Sequence, residues 1–87
     1  MVDMGLEEGE TVVEIEYDHT GLLIRTNFNL FLLRPDSAGI SKEVIDLADA
    51  NVLLEEVEKI RLRHVSVLYL RNGRVLLYST KRYCGTT

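Results

Sequence analysis

The side chains of Glu43, Asp46, Asp49, Asn51, Glu55 and Glu56 offer oxygen ligands of the kind that hold calcium or magnesium. Their spacing lacks the alternating acids, central glycine and terminal glutamate of a helix-loop-helix calcium loop, so they are expected to line a solvated helix face. Glu14 and Glu16 share one side of a strand, as a pair of glycosidase carboxylates would, and are expected as outward surface charge. His19 and His64 are too few for a histidine metal site unless carboxylates complete it, and are expected as a polar loop residue and a hydrogen-bonded edge histidine. Cys84 is the only cysteine and can build neither an internal disulfide nor a cysteine zinc site. As a nucleophile it would need a nearby histidine or another group to depress its pKa. The hairpin register described below pairs His64 with Lys81, three residues away, which allows proximity, but a terminal free thiol with no role is expected. The 6 glycines are scattered and none opens a helix as a phosphate-binding loop does. The residues therefore name no catalytic group, no metal ligand set and no cofactor, and the chain is read as a non-enzyme.

The remaining chemistry lies in residues 61–83, where two apolar β-type runs flank Asn72-Gly73. A two-residue type I′ turn there needs positive φ at both central positions, which Asn tolerates and Gly allows. That turn sets Leu70 opposite Val75, Leu68 opposite Leu77 and Val67 opposite Tyr78. With side chains alternating, Leu62, His64, Ser66, Leu68, Leu70, Val75, Leu77, Ser79 and Lys81 form a core face. The opposite face carries Arg61, Arg63, Val65, Val67, Tyr69, Arg71, Arg74, Leu76, Tyr78, Thr80 and Arg82. Its centre of Val65, Val67, Tyr69, Leu76 and Tyr78 inside a rim of Arg63, Arg71, Arg74 and Arg82 is the candidate contact surface. Tyr and Arg are enriched in protein interfaces. Arginines with stacking tyrosines also suit single-stranded RNA or DNA, but aliphatic groups at the centre favour a protein partner.

The elements that must position this surface follow from the rest of the chain. Residues 1–10 are expected as a flexible acidic tail and 84–87 as a second flexible tail, around a single domain over 11–83. From Thr11 the pattern alternates, with Val13, Ile15 and Tyr17 on one face and Val12, Glu14 and Glu16 on the other, as in a half-buried strand. Asp18-His19-Thr20-Gly21 is turn chemistry. Residues 22–33 read as one strand with a bulge or bend at Asn27 and Asn29, broken after Leu33 by Arg34-Pro35. Ser41 is a helix N-cap candidate, and residues 42–60 have helical composition with a phase break near Asp49-Ala50-Asn51. The rival reading makes part of 43–54 a strand, giving a small all-β barrel with a short helix. The fold class expected is α+β, order β-β-α(α)-β-β, a four-stranded sheet of two hairpins packed on a helical segment. Ubiquitin-like and protein-G-like domains share that element order, an analogy that carries no function.

The chain has 87 residues, 46% hydrophobic and 28% charged, with a net charge of −4. This suits one globular domain with a modest core. No apolar run is long enough for a membrane span, and the acidic start does not resemble a signal peptide, so a cytoplasmic protein without a membrane partner is expected. No internal repeat or low-complexity segment is visible. Charge is divided: residues 1–60 hold all 14 acids and 4 bases, residues 61–87 hold 6 bases and no acid. The two parts are expected to neutralise each other within the fold, the rival being that each presents a field to a partner. The function expected is a small non-enzymatic interaction or assembly module that self-associates, as a homodimer or subunit, through the outer face of the C-terminal hairpin. Single-stranded nucleic-acid binding by the same face is the alternative.

Overall fold

A computed structural model describes residues 6–79 and 82–86, the last stretch by its backbone alone. It contains eight strands: β1 Val12–Asp18, β2 Gly21–Thr26, β3 Leu30–Asp36, β4 Gly39–Val44, β5 Val57–Arg63, β6 Val65–Leu70, β7 Val75–Ser79 and β8 Arg82–Thr86. They form two antiparallel meanders, β1-β2-β3-β4 and β5-β6-β7-β8. The main apolar cluster draws Leu23, Leu30 and Leu32 from the first sheet and Ile60, Leu62, Leu68, Leu70, Leu76 and Tyr78 from the second. Two sheets closing on one shared core are the layered solution for strands with one apolar face each.

The α+β expectation and its helical segment are therefore corrected. Residues 39–44 are strand β4, and residues 57–63 are strand β5. Between them lie only two 3-10 turns, Leu47–Ala50 and Leu54–Glu56. Asp46 starts the first by accepting the Ala48 N–H at 2.9 Å, and Asn51 ends it in the left-handed region at φ 57°. The phase break at 49–51 is thus a full stop. Each helical piece is too short to repay the cost of nucleation, whereas Val57, Ile60 and Leu62 bury completely as strand residues. Leu47, Ala50 and Leu54 plug the interior cluster from the connecting segment.

The strand expected over 22–33 is two strands joined at Thr26-Asn27-Phe28-Asn29. Thr26 Oγ1 accepts the N–H groups of Phe28 (3.1 Å) and Asn29 (2.9 Å), and Thr26 N–H donates to the Asn29 carbonyl at 2.8 Å. A threonine in turn geometry thus reverses a run that its apolar flanks would continue. Arg34-Pro35 does not break the strand. Beyond Leu33, β3 has only β4 beside it, and a strand flank with one neighbour tolerates proline.

Candidate interaction surfaces

The hairpin β6–β7 forms, but with a different turn. Gly73 N–H donates to the Leu70 carbonyl (3.0 Å), Leu70 N–H donates to the Arg74 carbonyl (2.9 Å), and Asn72 Oδ1 accepts the Arg74 N–H (2.9 Å). Gly73 has φ +89°, while Asn72 is not among the residues with positive φ. This is a three-residue loop with glycine in the bulge position, the other common hairpin solution. Asn72 contributes its side-chain acceptor rather than a left-handed backbone.

The extra loop residue shifts β7 by one. Tyr69 lies opposite Val75, Leu68 opposite Leu76, Val67 opposite Leu77 and Ser66 opposite Tyr78. A one-residue slip sends every side chain of a strand to the other face. Leu76 and Tyr78 accordingly lie in the core, both at 0% exposure, with the Tyr78 hydroxyl donating to the Asp46 carbonyl at 3.2 Å. Val75 and Leu77 take their places on the outer face. The expected surface is thus divided: Arg63, Val65, Val67 and Tyr69 stay outside, Arg71 and Arg74 sit exposed at the turn, and Leu76 and Tyr78 are interior. Arg82 lies in β8, with its side chain outside the described residues, as are Thr80 and Lys81 and the side chain of Cys84. The outer face now reads Lys59, Arg61 and Arg63 along β5, cross-strand from Tyr69, Val67 and Val65, with Val75 and Leu77 beyond.

Sequence reasoning missed the outer face of the first sheet. Cross-strand partners share a face, so Ile15–Ile24–Phe31–Val44 and Tyr17–Leu22–Leu33–Lys42 form two ranks across all four strands. Across a bulge Val12, opposite Thr26, continues the row on β1, and Ile40, opposite Pro35, continues it on β4. Ile24, Phe31 and Leu33 are buried at its centre, with Leu6 and Val12 packed on them. Around them Ile15 (45%), Tyr17 (76%), Leu22 (39%), Ile40 (65%) and Val44 (47%) are exposed. The only charged side chain in these ranks is Lys42, whose Nζ lies 4.4 Å from the Phe31 ring centroid. The sequence signal was the Val13, Ile15, Tyr17 alternation itself, with the wrong side taken as solvent.

Glu14 and Glu16 do not face outward. Like Asp18 they lie on the inner side of β1, half-buried, beside β5, which is an edge strand of its sheet. Glu14 Oε2 accepts the Ile60 N–H at 3.5 Å, and Asp18 Oδ2 accepts the His64 N–H at 3.0 Å. Arg25 donates to the Val57 carbonyl and pairs with Glu14 at 3.2 Å. Charged side chains thus occupy backbone positions that would otherwise template another strand. The Arg25–Glu14 pair lies within residues 1–60, and Glu14 and Asp18 accept backbone N–H groups, so these contacts do not pair the acidic part of the chain with the basic side chains of residues 61–87. The Thr20 hydroxyl and the His64 N–H hold the Asp18 carboxyl well below its ordinary range, against the opposing effect of desolvation. Glu10, nearly buried and expected in a flexible tail, is likewise lowered, chiefly by the Thr26 hydroxyl and then by the Glu7 N–H.

At the same corner the rings of His19 and His64 meet edge to face with centroids 4.8 Å apart. His64 adopts φ 64° in the one-residue link between β5 and β6. Among the described residues no three His, Cys, Asp or Glu side chains converge as a metal ion would require. A groove of ≈ 610 Å³ opens between Val13, Phe28, Leu53 and Leu54 with Arg25 and Arg71 in its wall. Arg25 is committed to Glu14 and Val57, and Arg71 Nε donates to the Glu55 carbonyl at 3.1 Å. No helix of the described residues is long and apolar enough to cross a membrane. No protein-family model, curated protein or solved structure matches this chain.

Proposed function

We propose that this chain is a small non-enzymatic assembly module that pairs with a second copy of itself through the outer face of its first sheet. The observation that carries this is the exposed apolar set Ile15, Tyr17, Leu22, Ile40 and Val44 on a face with a single cation. Four strands about 4.8 Å apart and about 20 Å long give a face of roughly 400 Å², and contiguous apolar patches of that order mark interaction sites. A two-fold dimer places the same patch on both sides. That suits a nearly neutral face and disfavours the C-terminal face, where Lys59, Arg61 and Arg63 would confront their own copies. Face-to-face pairing of about 400 Å² per partner falls below the roughly 800 Å² of a standard interface, so association in the micromolar range is expected. A cytoplasmic setting suits a chain whose single cysteine can form no internal disulfide.

The test is sedimentation equilibrium from micromolar to millimolar protein, with a double variant Ile15→Ser, Tyr17→Ser. Both residues are exposed, so the variant should keep its fold by circular dichroism and lose self-association at least tenfold. A wild-type chain that stays monomeric at millimolar concentration, or a variant that dimerises equally well, would refute the proposal.

A further inference from the structure

We infer that the outer face of the second sheet is a separate docking surface for an acidic amphipathic helix of a partner protein. On β5 the cations Lys59, Arg61 and Arg63 form one row, and each lies cross-strand from an apolar residue, Tyr69, Val67 and Val65 respectively. Solvent-facing strand pairs ordinarily match opposite charges, and here none is matched on the sheet. Arg71 and Arg74 add two exposed cations at the β6–β7 turn. The Arg25–Glu14 ion pair involves none of these five. The nearby acids are Glu58, which neighbours Lys59 in the chain, and Glu14, Glu16 and Asp18 on β1. Glu14 is engaged by Arg25 and Asp18 by the His64 N–H, and Glu58 and Glu14 line a cleft with Lys59, Arg61 and Tyr69. The row is therefore a cationic field left over after internal neutralisation.

The geometry selects the partner's shape. The β5 edge is taken by Glu14 and Asp18, which blocks strand addition there and leaves the face. The half-buried Val65, Val67, Tyr69, Val75 and Leu77 lie on two adjacent strands, together about 10 Å wide, the width of one α-helix. The cationic row lies one strand further out. Its side chains recur every two residues, about 6.8 Å, close to the roughly 6 Å between helix positions four apart. A helix laid along the sheet would bury its apolar stripe on β6 and β7 and set acids at every fourth position against Lys59, Arg61 and Arg63. The described helical turns of this chain plug the interior and do not cover this face. Among the described residues of this face, aliphatic groups and one tyrosine favour such a helix over stacked bases.

Fluorescence anisotropy with a labelled model helix of about four turns, leucine on one stripe and glutamate on its flank, tests this on the full chain. Saturable binding is expected, weakened several-fold by raising salt from 0.05 to 0.3 M in keeping with screening. It should fall at least tenfold in Arg61→Glu, Arg63→Glu, and also in Val67→Ser. The same helix with lysine for glutamate should not bind. Failure to saturate, binding indifferent to the charge reversal, or tighter binding of a single-stranded oligonucleotide would overturn the inference. Sedimentation of the Arg61→Glu, Arg63→Glu variant separates the two surfaces, because its self-association through the first sheet should be unchanged.

Discussion

Replacing Tyr78 by alanine tests the register on which the core and both surfaces depend. Tyr78 is at 0% exposure between the sheets, and its hydroxyl donates to the Asp46 carbonyl. Truncating a buried aromatic costs about 3–5 kcal/mol through lost transfer energy and the cavity left behind. A chain of 87 residues has a total stability of about 4–13 kcal/mol, so this one change removes a large part of it. With a urea dependence of about 1.5 kcal/mol/M, the unfolding midpoint should drop by about 2–3 M. Tyr78→Phe, which keeps the ring and removes the bond to Asp46, should cost about 1 kcal/mol. Leu77→Ala on the outer face should cost less than Tyr78→Ala by at least about 2 kcal/mol. The chain has no tryptophan, so far-UV circular dichroism is the signal to follow. A Tyr78→Ala loss within about 0.5 kcal/mol, the range of ordinary surface sites, would place Tyr78 outside and restore the two-residue turn.

Three further outcomes follow from local geometry. Gly21 has φ +154°, and a Cβ there would run into the Leu33 carbonyl oxygen, so Gly21→Ala should cost about 2–4 kcal/mol by urea unfolding; a neutral effect would contradict the close approach of β2 to β3. Gly73→Ala has open space around it but keeps φ +89°, and should cost only about 1–2 kcal/mol, so equal costs at the two sites would show that steric contact is not what separates them. Asp18 and Glu10 are both lowered in the folded state, so the unfolded chain binds more protons in acid. Their contribution is complete above the unfolded values of about 3.9 and 4.3 and is lost as pH falls through the folded ones. Urea midpoints from pH 6 to 2 should fall more steeply for the wild type than for Asp18→Asn, Glu10→Gln, and parallel curves would remove these carboxylates from the account.

The sequence alone determined some of the strands and several places where they turn. Alternation over Val12–Asp18 marks β1, Asp18-His19-Thr20-Gly21 marks its turn, and the apolar runs around Asn72-Gly73 mark a hairpin, because these are local matters of side-chain period and permitted φ. Tertiary structure decided which side of each strand is inside. Asn-Gly serves two turn types that differ by one residue, and only the opposing core, which accepts Leu76 and Tyr78 but leaves Val75 and Leu77 half-exposed, selects between them. It also decided the fate of residues 42–60. Their composition favours helix, yet burial of Ile45, Val52, Val57 and Ile60 between two sheets outweighs that weak preference. Glu14 and Asp18 look like surface charge along the chain and become caps on the edge of β5 only once a strand 46 residues away lies beside them. That long-range juxtaposition, absent from any local window, is what leaves the first sheet's outer face apolar and the second's basic.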